Sequence, residues 1–154
     1  MQRKFCHTVA AGAASLCCLA TALPAMSAGA VDSFPSFRIR QIASSQDGYS
    51  QIIELEEVGG KDGQHQIAGL TLRVTNRFGI DKTFVLPSDL PDAGTANRHV
   101  TIGPPFLSGH FQGLFRVDFI LPEQFLPTDG GAIDFAGIDR WSFDAIPTDG
   151  SLLL

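Results

Sequence analysis

Residues able to do chemistry are few and scattered in this chain. Past its first thirty residues it has three histidines, His65, His99 and His110, and no cysteine. Three imidazoles could meet around a metal or activate a nucleophile, but no pair of them stands at a recognised ligand spacing, and each reads as a surface-loop histidine. The missing thiols exclude a cysteine nucleophile and a Cys-ligated metal. No G-x-S-x-G elbow, P-loop or H-E-x-x-H occurs. Glu54, Glu56 and Glu57 have the look of a carboxylate pair for glycoside chemistry. However, Glu54 and Glu56 alternate with Ile53 and Leu55, as on the solvated face of a strand. Asp129, Asp134, Asp139, Asp144 and Asp149 fall at every fifth residue. On a strand that step changes face each time, and as a coil it lacks a regular Leu or Phe. A hard cation would sit best at the turns bearing Asp129 or Asp149, but neither turn justifies assigning one. Trp141 and Tyr49 could stack on sugar rings. Trp141 alternates with Phe143 and reads as core, while Tyr49, beside a turn, reads as exposed. The residues therefore assign no catalytic, cofactor-binding or metal site, and no cofactor is expected.

The cysteines Cys6, Cys17 and Cys18 all lie in a segment with the three parts of an export signal. Arg3 and Lys4 open it, His7 to Leu23 is almost wholly Ala, Leu, Cys, Ser and Thr, and Ala28-Gly29-Ala30 is a cleavage site. Ala25-Met26-Ser27 is a second acceptable site. Cleavage after Ala30 assigns residues 1–30 to the signal peptide and 31–154 to one domain, large enough to build a core without staples. His7 and Pro24 interrupt the apolar run, which makes a poor membrane span. Leu16 and Cys17, standing before the two adjacent thiols, exclude a lipoprotein site. Removing Arg3 and Lys4 from eleven basic residues leaves nine against sixteen acidic ones, a formal charge of −7. That charge repels phosphate backbones and anionic headgroups, so neither nucleic acid nor membrane is an expected partner of the processed form.

The rest of the chain reads as short strands between Gly and Pro turns. Phe37-Arg38-Ile39-Arg40 alternates, then slips in phase before Ile42, which predicts a bulge near Gln41. Ser44 to Gly48 is turn chemistry, its Asp-Gly step suited to a tight hairpin. A strand with Ile53 and Leu55 inward follows, then a glycine-rich loop over 59–65. Ile67 to Val74 should be a strand with Leu70, Leu72 and Val74 inward, and Lys82 to Leu86 another, stopped by Pro87. Val100 and Ile102, Val117 to Leu121, Ile133 and Phe135, and Trp141 and Phe143 mark further short strands. Phe106 to Arg116 reads as loop with one helical turn, and Pro122 to Pro127 as a brief helical turn. Leu126-Pro127-Thr128-Asp129-Gly130 recurs as Ile146-Pro147-Thr148-Asp149-Gly150, two similar turns each opening a strand, the last being Ser151 to Leu154. This spacing points to an all-β sandwich.

Ile52-Ile53-Glu54-Leu55, a Gly-rich loop, and Ile67-Ala68-Gly69-Leu70-Thr71-Leu72 together resemble the core of lamin-tail domains. Ala96-Asn97-Arg98 with Val100, Phe125-Leu126-Pro127 and Ile146 to Gly150 resemble exported bacterial proteins that share this domain. Leu70 stands where that family usually has Trp, and its Pro-Gly step before the Val100 strand is absent. The resemblance implies an immunoglobulin-like β-sandwich of short antiparallel strands. Bacterial members are accessory modules beside secreted hydrolases or adhesive domains. The reading is of a secreted or periplasmic, non-enzymatic interaction or adhesion module whose partner is a protein or glycan. The alternatives are a secreted hydrolase formed around His99 and His110 with nearby aspartates, or a carbohydrate-binding module.

Overall fold

A computed structural model describes residues 35–107 and 116–148. The signal segment, His110, Asp149 and the Ser151 to Leu154 strand lie outside the described residues. Among the described residues there are eight strands: β1 (Phe37–Ser44), β2 (Gln51–Glu57), β3 (Thr71–Asn76), β4 (Asp81–Val85), β5 (His99–Gly103), β6 (Phe119–Ile120), β7 (Gly131–Phe135) and β8 (Asp139–Phe143). They form two four-stranded sheets, ordered β1-β2-β5-β6 and β4-β3-β7-β8. Inward side chains of both sheets, among them Ile53, Leu55 and Ile102 from one and Leu72, Ile133 and Phe135 from the other, share one buried cluster. The architecture is sandwich-like and all-β. Among the described residues no helix is long and apolar enough to cross a membrane.

The period-two pattern sets the packing. In β2 the buried positions are Gln51, Ile53, Leu55 and Glu57, with the intervening side chains half-buried on the outer face. The expected slip in β1 is real: Ile39 pairs with Leu55 and Gln41 with Glu54, so Arg40 is the extra residue. The Ile39 amide beside the bulge donates to Asp139 Oδ2 at 2.8 Å, joining the first strand of one sheet to the last of the other. Trp141 and Phe143 pack against the core, half-buried, on β8.

Five expectations are corrected. The 45–50 connection is a six-residue loop and not a tight hairpin; Asp47 Oδ1 closes it by accepting from the Ser45 hydroxyl at 2.5 Å and the Tyr49 amide at 3.1 Å. Ile67 is buried before β3 begins, in a turn where Leu70 N donates to Ile67 O at 3.2 Å. Leu70 also precedes the strand, although, half-buried, it packs against the core as its inward reading requires. Residues 122–127 form a turn without helix, with Gln124 at φ 52°. Finally, β6 runs parallel to β5, so the strands are not all antiparallel.

Gln51 explains how the 122–127 turn is held. Its side-chain amide accepts from Leu126 N at 2.8 Å and donates to Leu126 O at 2.8 Å, and also donates to Ser44 Oγ at 3.1 Å. In effect it pairs with the turn as a strand backbone would. Gln51→Leu keeps the volume but orphans both Leu126 groups in a dry site, and is expected to cost about 2 kcal/mol. A urea melt with an unchanged midpoint would show that the amide is dispensable.

The repeated pentapeptide also gains a physical meaning. Leu126 and Ile146 are both buried, and Ile146 N donates to Thr128 O at 3.1 Å. That bond sets Ile146, the first residue of the second copy, beside the first copy, which leads into β7.

Candidate functional site

Alternation on β1, β2 and β5 sends a second set of side chains outward, and these line a cleft of about 660 Å³ on the outer face of the β1-β2-β5-β6 sheet. Its floor is laid down by cross-strand register. Ala43 lies opposite Ile52, Gln41 opposite Glu54, Glu54 opposite Thr101, and Glu56 opposite His99. The floor therefore grades from an apolar pair to a polar row crossing three strands. Asp92, Gly94 and Arg98, from the segment before β5, and Arg116 and Asp118, from the segment before β6, complete the lining.

The charged groups of the cleft are already paired with one another. His99 Nδ1 lies 2.5 Å from Glu54 Oε1, and its Nε2 lies 3.7 Å from Glu56 Oε1. Glu56 is also paired with Arg40. Arg98 grips Asp92 with two bonds of 3.1 Å. Its other terminal nitrogen stands 3.7 Å from Asp118 Oδ1, which Arg116 Nε approaches to 3.4 Å. Asp118 is further fixed by the backbone, since its Oδ2 accepts from Thr101 N at 3.0 Å and its own amide donates to Thr101 O at 2.8 Å. The Arg98 and Asp118 side chains are 14% and 8% exposed, so the pair is held well out of solvent.

Behind this wall lies a carboxylate that sequence reasoning placed wrongly. Glu57 was expected on the solvated face with Glu54 and Glu56, yet it is fully buried. It accepts from the Ser36 hydroxyl, from Gly59 N at 2.8 Å, from Lys61 N at 3.1 Å and from Asn97 N at 3.0 Å. Burial alone would raise its carboxyl. The Ser36 hydroxyl and the amides of Asn97, Gly59 and Lys61 outweigh burial and bring it from 4.5 down to about 2. The bond from Asn97 secures a left-handed backbone, φ 55°, at that residue. Glu57 N then donates to Arg98 O at 2.9 Å. Glu57 is thus a positioning residue for Arg98. Thr95, also fully buried, works beside it. Its Oγ1 accepts from Gln64 N at 2.9 Å and donates to Lys61 O at 3.0 Å, while Asp62 Oδ1 accepts from Thr95 N at 2.9 Å.

The sequence candidates are distributed as follows. His99 stands on strand β5 and not on a loop; His65 is half-buried in its loop, with a buried Nδ1 that has no hydrogen-bond partner. Glu54 borders the cleft with only 14% of its side chain exposed, so its face is not simply solvated. The aspartate series serves unrelated ends. Asp129 pairs with Arg77 at 3.0 Å, Asp134 caps the turn at Gly137 N at 2.8 Å, and Asp139 holds the bulge. Among the described residues no group of three or more His, Cys, Asp or Glu side chains is arranged to hold a metal ion. Tyr49 is half exposed, away from the cleft. Arg98, Asp118 and Thr101 were not singled out from the sequence; only their convergence in space marks them. No protein-family model and no curated protein sequence matches this chain.

Proposed function

We propose that this chain is an exported, non-enzymatic interaction or adhesion module of the bacterial envelope or medium, with a protein or glycan partner recognised in the cleft over β1, β2 and β5. The observation that carries this reading is a concave site whose charged side chains are fixed by each other and by the backbone before any partner arrives. Pre-organisation of that kind lowers the ordering cost of binding. Export rests on the three-part pattern of residues 1–30.

The immunoglobulin-like, lamin-tail-like architecture is part of the same proposal. Strand order supports it over seven strands: β1-β2-β5 and β4-β3-β7-β8 correspond to strands A-B-E and C′-C-F-G, with C′ beside C as in variable-type domains, whereas β6, which follows β5 and runs parallel to it, has no counterpart there. Each chain crossing between the sheets then falls where a Greek-key sandwich has one.

His99 and Glu54 favour a hydrolytic reading at first sight. Both ring nitrogens of His99 face carboxylates, however, which suits a bridge between Glu54 and Glu56 better than a base aimed at a hydroxyl. The test compares immobilised wild type with Glu54→Gln and His99→Ala in capture from envelope extract and medium. A partner retained by wild type and lost by both variants is expected. Equal retention by all three removes the cleft from the proposal, and turnover of ester, amide or glycoside probes that depends on His99 overturns its non-enzymatic part.

A further inference from the structure

The cleft's charge pairing says which class of ligand it takes. We infer that it binds a neutral, polyhydroxylated ligand, a short stretch of uncharged glycan, across the row Gln41, Glu54 and Thr101; the inference rests on the cleft being the recognition site.

An incoming ion would meet charged groups that already have partners. Arg98 is committed to Asp92 and Asp118, Arg116 to Asp118, and His99 lies between Glu54 and Glu56. An anionic ligand would have to compete for Arg98 or Arg116 with Asp118, whose side chain is nearly buried, and a cationic ligand for Asp92 or Asp118 with the shielded Arg98. Stranding one member of such a pair is costly. A hydroxyl needs no such exchange. A guanidinium offers five N–H donors and a carboxylate about four lone-pair sites, more than the bonds just described occupy. Hydroxyl groups, being donor and acceptor at once, can add to paired groups of either sign.

The placement of the cleft argues against an extended peptide. It lies on the face of the sheet, and the backbone groups of β2 are spent on its neighbours β1 and β5. Main-chain pairing, the usual source of affinity for strand-like peptides, is open only at a sheet edge. Recognition on this face must come from side chains. Gln41, Glu54 and Thr101 provide three hydrogen-bonding groups at successive strand spacings of about 4.8 Å, beside the apolar pair Ala43 and Ile52 on which the C–H face of a sugar ring can rest. Those two small and branched side chains also replace the aromatic platform looked for in Trp141 and Tyr49, neither of which lines the cleft.

The experiment is amide chemical-shift mapping of the purified full chain with four probes: the neutral hexasaccharides of glucose and of N-acetylglucosamine, a galacturonic acid hexamer, and trialanine. Expected is a saturable shift of the Glu54, His99 and Thr101 amides with a neutral oligosaccharide at a Kd of about 1 mM or tighter. Thr101→Val and Glu54→Gln, each with an unchanged melting midpoint, should weaken it by about tenfold. Saturation of the same amides by the galacturonate or the peptide alone overturns the ligand class while leaving the cleft as a binding site. If no probe moves these amides and capture of partners survives Glu54→Gln, the inference and the reading beneath it both fall.

Discussion

Glu57→Ala is expected to destabilise the domain by about 3 kcal/mol or more, since it removes one buried acceptor from four donors and leaves the amides of Gly59, Lys61 and Asn97 unpaired in a dry site. The pH dependence gives the loss a signature. In the folded protein the Glu57 carboxyl lies at about 2, below its ordinary 4.5. Its ionised form is therefore favoured by folding. The stabilisation is complete above about pH 4.5 and drains away as pH falls toward 2. Glu57→Gln, nearly the same shape, should lower the urea midpoint at pH 7 and flatten its fall over that acid window. Identical acid profiles for Glu57→Gln and wild type would show that the carboxylate is not the group responsible. Because the same side chain fixes Asn97 and the Arg98 carbonyl, Glu57→Gln should also weaken ligand binding at the cleft, although it touches no ligand.

Gly131→Ala should be nearly as damaging for a different reason. A Cβ at Gly131 would stand 2.2 Å from the Thr75 carbonyl oxygen and 3.1 Å from Asn76 Cα. Backbone atoms cannot swing aside as a long side chain can. The start of β7 must then separate from the end of β3, where Gly131 pairs with Asn76, at a cost of about 3 kcal/mol. Gly137→Ala is the comparison. Its φ of 70° is left-handed, but nothing lies within 4 Å of the added carbon. Only backbone strain remains there, about 1 kcal/mol. Equal urea midpoints for the two variants would defeat the steric account.

Alternation made the inner faces of the strands readable from sequence. Ile53 with Leu55, Leu72 with Val74, and Ile133 with Phe135 are buried as their period requires, and the phase slip in β1 located the Arg40 bulge to within a residue. The same period, carried two residues further each way, also puts Gln51 and Glu57 inward. That was missed because a polar residue was assumed to face water, whereas a buried polar group needs only enough partners. Glu57 finds them in amides from positions 59, 61 and 97, and Gln51 in Leu126. No local pattern announces partners that far apart. The cleft was hidden for a related reason. Glu54, His99 and Asp118 come from three separate segments, and each looks ordinary where it stands. The parallel course of β6 was equally invisible, because a two-residue strand has no periodicity to read.

The bond from the bulged strand to Asp139 bears on how the domain would respond to mechanical load. Among the described residues β1 and β8 are the first and last strands, they lie along neighbouring edges of the two sheets, and Ile39 meets Asp139 near the start of each. Tension applied between the chain entering β1 and the chain leaving β8 reaches that bond after only the first residues of β1, and continues from it along β8. The Ile39–Asp139 bond thus carries load directly between positions 100 residues apart in the chain.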